Sequence, residues 1–226
     1  MSTPEPLPVT KVRLVLFDLD GTFADTAPDL AYALNQTLAS HGRIQLPLEV
    51  IRPHVSHGGV ALIRLGFELE PEHQDFPILR KQFLDFYQAN LVRDTRLFPG
   101  IQELLEELEK RGIAWGIVTN KPAWLTDPLM NKLQIRPQAV CVVSGDTTAK
   151  AKPDPDPIFY ACHIAGARPG ETLYIGDAER DIIAGNRAGT RTLTALFGYI
   201  GEHDQPEQWQ ADGAISDPMQ ILDWLD

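Results

Sequence analysis

Two aspartates, Asp18 and Asp20, directly follow an apolar run near the start of the chain, in LVLFDLDGTFADT (14–26). In an extended chain, residues two apart point to the same side, so we expect the two carboxylates to share a face. An unpaired buried charge is costly, and a second like charge beside it adds repulsion. The pair therefore predicts a site that a cation or a reacting group completes, because a structural strand end has no need of clustered acids.

Polar side chains also follow the other predicted strands. Thr119 and Asn120 end one run, Asp177 ends another, and Lys152 lies in AKPDPDP just past a third. Ligands of open α/β sheets bind at the carboxyl ends of the strands, so we expect these groups to converge. With Asp177 as a third carboxylate, the pocket becomes oxygen-rich and suits Mg²⁺. Asp181, one helical turn after Asp177, is expected either to orient the water ligands of that metal or only to cap the helix that follows Gly176.

This set of groups suits phosphoryl transfer, which needs cationic neutralisation, hydrogen-bond donors and an in-line nucleophile. Lys152 supplies a charge, Thr119 a hydroxyl and Asn120 an amide. Asp18 has a carboxylate that can attack phosphorus. Asp20 would then protonate the leaving oxygen and afterwards activate water. The expected partner is a small phosphorylated metabolite.

Four short motifs, DLDGT, VTN, KPDP and GDAERD, occur in this order. Together they resemble the four motifs of the haloacid dehalogenase-like phosphohydrolases, over essentially the whole chain. The resemblance implies a phosphatase that works through an aspartyl-phosphate on Asp18, with Asp20 as the acid and base. It further implies that Asp18, the backbone carbonyl of Asp20 and Asp177 hold Mg²⁺, and that Thr119 and Lys152 bind the phosphate.

Other segments are similar to particular branches of that family. DTAPDL, VTNKP and a GY after the last predicted strand are typical of phosphoglycolate phosphatases. The segments SHGG and GYIGEHDQPEQWQADGAI also resemble a related branch that acts on N-acetylmuramic acid 6-phosphate. Both substrates carry a phosphate and a carboxylate, so the resemblance implies a small phosphorylated acid. A sugar phosphomutase, which shares all four motifs, is a further alternative.

The elements that must position these residues alternate along most of the chain. Nearly continuous apolar runs predict strands over 13–18, 113–120, 139–145, 172–177 and 191–196, as is typical of strands buried on both faces. Helical patterns separate them, at 100–112, 154–166 and 180–189. Strands that alternate with helices predict an α/β fold, with a Rossmann-like parallel-sheet core.

One segment breaks this alternation. Between Thr22 and about Phe98 the sequence shows only helical patterns and no convincing buried strand. We therefore predict an α-helical cap over 24–97, inserted into a core formed by 1–23 and 98–226. At the start of its first helix, Thr26 and Asp29 have the spacing of a capping box.

The segment SHGG lies within the predicted cap. His57, Gly58 and Gly59 are predicted to form a helix N-terminus whose free N–H groups bind the carboxylate of the substrate. The alternative is an ordinary break before the helix GVALIRLGF. In either case, discrimination among phosphate esters must come from residues outside the four motifs.

Composition restricts the possible partners. The 226 residues carry a formal net charge of -11, which argues against nucleic acid or an anionic membrane as the main partner. Two cysteines without a CxxC motif predict reduced thiols. The N-terminal residues contain three prolines and no apolar signal, so we expect an extended tail and a soluble, cytoplasmic protein. A monomer and a homodimer are both compatible with the sequence.

Two other interpretations compete with the aspartate mechanism. The segment from Cys162 to Arg168 matches the Cys-x5-Arg loop of thiol-based phosphatases, although Cys162 lies in a helical pattern. A receiver-type signalling module also gathers acids, a Thr and a Lys at strand ends. It lacks a large helical insertion after the first strand and has adjacent acids in place of a DxD motif.

Overall fold

The computed structural model describes residues 11–135 and 138–226. Six parallel strands form the main sheet, in the order β5-β4-β1-β6-β7-β8. A short antiparallel pair, β2 and β3, forms a second sheet. The strands are β1 (Leu14–Phe17), β2 (Ala24–Asp25), β3 (Arg96–Leu97), β4 (Ala114–Val118), β5 (Val142–Val143), β6 (Thr172–Gly176), β7 (Arg191–Ala195) and β8 (Gly213–Ile215). The predicted α/β fold with a parallel sheet is confirmed.

Helices cover the sheet and fill the insertion. They are α1 (Ala27–Ser40), α2 (Leu48–Ile51), α3 (Gly58–Phe67), α4 (Phe76–Ala89), α5 (Ile101–Lys110), α6 (Ala123–Lys132), α7 (Asp156–Ala165) and α8 (Glu179–Ala188), with 3₁₀ helices at Arg52–His57, Pro169–Glu171, Pro206–Gln208 and Pro218–Trp224. The longer helices bury an apolar face, as α5 does with Ile101, Leu104, Leu105 and Leu108. Within the described ranges, no helix has both the length and the apolar character that crossing a bilayer requires.

Helices α1 to α4 all lie between β2 and β3, which pair antiparallel. The expectation of no strand between Thr22 and Phe98 was therefore wrong at the ends of the insertion, because two-residue strands are too short to show a period. One hydrophobic cluster joins Phe17 and Phe23 of the core to Leu34 and Phe83 of the insertion. The domain limits at 24 and 97 stay a prediction.

Other differences from the sequence prediction have similar causes. The strand predicted over 139–145 is only Val142–Val143. Helix α6, which contains Pro128, and the edge strand β8 were missed because neither shows a clear apolar period. The predicted extended tail, residues 1–10, lies outside the described residues.

The capping box predicted at Thr26 and Asp29 was wrong. The Thr26 hydroxyl donates instead to Oδ1 of Asp20 (2.6 Å), and the fully buried Asp29 accepts from the hydroxyl of Thr95 (2.6 Å). The first backbone N–H groups at the start of α1 donate to the hydroxyl of Tyr199, at 2.7 and 2.9 Å. The hydroxyl of Tyr199, which is distant in the sequence, therefore caps α1 in place of the local side chains that the spacing predicted.

Candidate active site

A cavity of about 420 Å³ lies between the carboxyl ends of the strands and the helical insertion. Most of the predicted site residues line it: Asp18, Asp20, Thr119, Asn120 and Lys152 from the core, and His57, Gly58 and Gly59 from the insertion. The remaining two, Asp177 and Asp181, lie at its edge. Asp177 lines a smaller neighbouring cavity, and Asp181 is fully buried.

Three of the predicted acids form one cluster. Asp18, Asp177 and Asp181 are buried, and each offers a carboxylate oxygen within 4.8 Å of the others. Burial raises the pKa of Asp18 to about 6, against the opposing charge of Lys152. Burial, followed by the charges of Asp18 and Asp181, raises the pKa of Asp177 to about 7. The three carboxylates lie together and the ammonium of Lys152 pairs with two of them, so a hard divalent cation with oxygen ligands fits the cluster.

The side chain of Lys152 is only 1% exposed and pairs with two acids of this cluster. Its Nζ is 2.8 Å from Oδ1 of Asp18 and 2.7 Å from Oδ1 of Asp181. It also donates to the carbonyl of Val118 and to the hydroxyl of Tyr174, both at 2.8 Å. Lys152 is therefore a buried cation that holds the carboxylate of Asp18 in a defined orientation.

Asn120 positions Lys152 through the backbone. Its Oδ1 accepts from the Lys152 N–H (3.0 Å), and its Nδ2 donates to the Lys152 carbonyl (2.8 Å). The amide is thus already engaged, while a direct contact with substrate stays a prediction. Thr119, which is buried beside it, accepts from the backbone N–H of Lys121 (3.1 Å).

Asp181 has three structural partners. Its Oδ1 contacts Lys152 and accepts from the hydroxyl of Tyr174 (3.3 Å), and its Oδ2 accepts from the N–H of Ala178 at the start of α8 (3.1 Å). Helix capping and fixation of Lys152 are therefore combined in one carboxylate. Orientation of metal-bound water by Asp181 stays a prediction.

Asp20 is held by Lys121, a residue that the sequence prediction missed. The Nζ of Lys121 is 2.8 and 3.1 Å from the two carboxylate oxygens of Asp20. The same ammonium lies 4.7 Å from the ring centroid of Tyr87, on helix α4 of the insertion. The signal in the sequence is the lysine of VTNKP, which directly follows Asn120.

Asp177 accepts three hydrogen bonds: from the hydroxyls of Thr22 (3.2 Å) and Ser56 (2.7 Å), and from the backbone N–H of Tyr199 (2.9 Å). Gly21 has a φ of +88°, and a Cβ there would overlap the Asp177 carboxylate. The glycine of the DLDGT motif is therefore required by close packing against the acid from another strand.

The predicted helix start in SHGG is present in the structure. A 3₁₀ helix ends at His57, and α3 begins at Gly58, where φ is +74°. Partial burial, followed by the nearby charge of Arg180, lowers the pKa of His57. His57, Gly58 and Gly59 line the same cavity as Asp18. Binding of a carboxylate there stays a prediction.

The Cys-x5-Arg interpretation finds no support. Cys162 is buried in α7, where its Sγ lies 3.4 Å from Oγ1 of Thr172, and burial raises its pKa. Arg168 forms an ion pair with Glu171 (2.7 Å). A thiol-based phosphatase needs a thiolate, and this environment favours the neutral thiol.

A model of the haloacid dehalogenase-like hydrolases matches residues 15–195. The chain belongs to the haloacid dehalogenase-like hydrolase family. The relatives described below are named phosphatases, and this chain is an enzyme of the phosphatase class. An N-acetylmuramic acid 6-phosphate phosphatase of Pseudomonas putida is 37% identical over 216 residues, which cover 96% of this chain and 97% of the relative.

Other members of the family are similarly close. A phosphoglycolate phosphatase of Xanthomonas campestris pv. campestris is 38% identical over 210 residues, covering 92% of this chain and 94% of the relative. The crystal structure of a predicted phosphoglycolate phosphatase from Haemophilus somnus superposes with a TM-score of 0.84 at 28% identity, over 96% of this chain and 99% of that one. Sequence identity alone therefore does not separate the two substrates.

Proposed function

We propose that the chain is a Mg²⁺-dependent phosphomonoester hydrolase that acts on a phosphorylated acid through an aspartyl-phosphate on Asp18. The observation that carries the proposal is the acidic cluster of Asp18, Asp177 and Asp181 around Lys152, at the edge of a cavity. Bound Mg²⁺ would supply neutralisation of the phosphate charge, with Asp18, Asp177 and the backbone carbonyl of Asp20 as its proposed ligands.

Each side chain of the site has its own role in the two steps of the reaction. The carboxylate of Asp18, fixed by Lys152, attacks phosphorus, and the bond from phosphorus to the alcohol oxygen breaks. Asp20 gives its proton to that oxygen and later removes a proton from the water that hydrolyses the phosphoaspartate. Thr119 and Lys152 bind the phosphate oxygens. Lys121 and Thr26 keep Asp20 in place for both steps.

We further propose that residues 24–97 act as a cap that excludes water from the cavity during transfer. Two contacts support this role, since Ser56 bonds Asp177 and Tyr87 lies beside Lys121. Both contacts join the insertion to the residues of the reaction.

The relatives name two substrates for this site. Phosphoglycolate is the smaller, and N-acetylmuramic acid 6-phosphate is the larger. A cavity of about 420 Å³ favours the larger, because cavities of about 300–1,000 Å³ are typical for drug-sized ligands. A panel of both substrates, hexose phosphates and p-nitrophenyl phosphate would rank them.

The experiment that tests the chemistry compares Asp18→Asn with Asp20→Asn. Asp18→Asn removes the nucleophile, so no phosphoenzyme should form in a rapid acid quench. Asp20→Asn should still form it, with turnover lowered by about 10²–10⁴-fold. EDTA should abolish activity, and Mg²⁺ should restore it.

Three results would overturn this assignment: full activity in EDTA, a phosphoryl group trapped on Asp20, or a phosphoenzyme in Asp18→Asn. Lys81→Ala is the matched control, because Lys81 is exposed and, among the described residues, pairs only with Asp85 on α4 (2.6 Å). Its activity should equal that of the wild type.

A further inference from the structure

Two arginines line the cavity without an acidic partner. Arg80 makes no hydrogen bond or ion pair within the described part of the chain, and Arg180 there donates only to the carbonyl of Ser56. The cavity's lysines differ, since Lys121 pairs with Asp20 and Lys152 with Asp18. In a chain of net charge -11, two uncompensated guanidinium groups facing one cavity indicate a negatively charged ligand.

Arg80 lies at the end of the cavity far from the reacting groups. It shares one face of α4 with Phe83, Leu84 and Tyr87, which all line the cavity at helical spacing. Tyr87 lies against Lys121 and so marks the end near Asp20. At 1.5 Å per residue, Arg80 is about 10 Å farther along the helix. Helical side chains lean toward the N-terminus, which takes Arg80 farther still.

The start of α3 packs against the middle of this face of α4. A Cβ at Gly59 would lie 3.1 Å from the Phe83 ring and 3.9 Å from a methyl of Leu84, one turn from Arg80. Arg180 lies nearer the reacting groups, because it donates to the carbonyl of Ser56, whose hydroxyl bonds Asp177. Arg180 therefore marks the end of the cavity near Asp177, and Arg80 is the cation at the other end.

The hydroxyl of Tyr87 also lacks a partner. Tyr87 is fully buried and lines the cavity, and its hydroxyl makes no hydrogen bond to any described residue. Burial raises its pKa to about 12, so the group stays protonated and can donate. A buried donor without an acceptor costs about 1–3 kcal/mol, which a ligand oxygen at this point would recover.

We propose that Arg80 binds the carboxylate of a phosphorylated sugar acid whose phosphate lies at Asp18. The proposal rests on the proposed function and names its substrate class. The sugar ring spans the distance between the two anionic groups, against Val60, Leu84 and Trp124, which all line the cavity. The hydroxyl of Tyr87 donates to an oxygen of the ring substituents.

Phosphoglycolate does not satisfy this geometry. Its phosphorus and carboxylate carbon are three bonds of about 1.5 Å apart, so they are separated by at most about 4 Å. A molecule of that size leaves most of the cavity empty and cannot reach both Asp18 and Arg80. An acid of sugar size is long enough to extend from Asp18 toward Arg80, which lies about 10 Å along α4 from Tyr87.

The test compares two substrates that share the ring and the phosphate. N-Acetylmuramic acid 6-phosphate carries a lactyl carboxylate, and N-acetylglucosamine 6-phosphate lacks it. We expect the wild type to prefer the first in kcat/KM. Arg80→Ala should lower kcat/KM for the carboxylate substrate by about 10–100-fold, as for a lost charged hydrogen bond, with a much smaller loss on the other.

The controls separate this subsite from folding and from the chemistry. Lys81→Ala removes one positive charge from the same helix and should leave both substrates unchanged. Arg80→Lys should recover part of the preference. In Asp18→Asn, titration calorimetry measures binding without turnover, and adding Arg80→Ala should weaken binding of the carboxylate substrate selectively.

Equal losses on the two sugar phosphates would overturn the subsite, as would a wild type that prefers phosphoglycolate or ignores the carboxylate. Hydrolysis of p-nitrophenyl phosphate by the wild type distinguishes a failure of the proposed subsite from a failure of the proposed function. If that hydrolysis is Mg²⁺-dependent but the sugar preference is absent, only the subsite is wrong. If no phosphomonoester is hydrolysed, the proposed function is wrong as well.

Discussion

The hydroxyl of Ser56 donates a hydrogen bond to the carboxylate of Asp177, with 2.7 Å between Oγ and Oδ2. Ser56 lies in the 3₁₀ helix of the insertion, and Asp177 directly follows β6 of the main sheet. Arg180 strengthens the contact by donating to the Ser56 carbonyl. The insertion and the core therefore meet at an acid of the proposed metal site.

Removal of this hydrogen bond should change metal affinity. Ser56 competes for a lone pair of Asp177, so Ser56→Ala leaves that carboxylate more available to a cation. A net hydrogen bond of about 0.5–1.5 kcal/mol corresponds to Mg²⁺ binding that is about two- to tenfold tighter. Titration calorimetry with MgCl₂ measures it. Ser40→Ala is the control, because the hydroxyl of Ser40 lies in the insertion and donates to the carbonyl of Thr37. An unchanged Kd for Ser56→Ala would contradict the prediction.

The hydroxyl of Tyr199 should contribute measurably to stability. It accepts from two backbone N–H groups at the start of α1 and donates to Oδ1 of Asp25 (2.8 Å). Tyr199→Phe keeps the ring and leaves these groups unsatisfied, so the free energy of unfolding should fall by about 2–3 kcal/mol. Urea titration provides the measurement. Tyr160→Phe, on the exposed face of α7, should cause no change, and equal behaviour of the two variants would refute the prediction.

Glu171 should give the protein a specific sensitivity to acid. Hydrogen bonds from the side chain and backbone of Arg168 lower its pKa to about 2. A lowered pKa in the folded state means that this stabilisation is present above about pH 4.5 and is lost as the pH falls toward 2. The wild type should therefore lose more stability over that interval than Glu171→Gln, in urea midpoints taken from pH 5 to 2.5. Glu72→Gln should follow the wild type, and parallel curves for all three proteins would contradict the expectation.

The cysteines should be dispensable for activity. Cys141 and Cys162 are buried, and burial raises the pKa of Cys141 to about 12 and that of Cys162 above its ordinary value. Cys162→Ala should therefore keep the activity of the wild type, and iodoacetamide should leave the native enzyme active. A complete loss with Cys162→Ala in a folded protein would restore the thiol mechanism. Circular dichroism establishes that the variant is folded.

The sequence was sufficient for the sheet and its reactive edge. Apolar runs ending in Asp18 and Asp177 predict buried parallel strands, and parallel strands place their carboxyl ends at one edge. These signals are local, because each run carries both its strand and its terminal residue. The family and the phosphatase class follow from the same motifs.

The partners of those residues could not be predicted from the sequence. The N-terminus of α1 is satisfied by Tyr199, at a separation of more than 170 residues, although Thr26 and Asp29 have the spacing of a local cap. Local spacing fails here because the hydroxyl of Thr26 and the carboxylate of Asp29 have better partners elsewhere in the fold. Short elements such as β2 and β3 were missed for the related reason that pairing, and not composition, defines them.

The residue types at the reacting centre were thus determined by the sequence alone, since charge and spacing are properties of the chain. Only the tertiary structure decided which charges remain unpaired. Lys121 and Lys152 are neutralised by carboxylates from distant strand ends, whereas Arg80 and Arg180 meet no carboxylate in the described structure. Ion pairing depends on the distance between charges in space. These four residues come from α4, α8 and two loops, and only folding brings them to one cavity. Their distances, and therefore their pairing, cannot be read from their positions in the sequence.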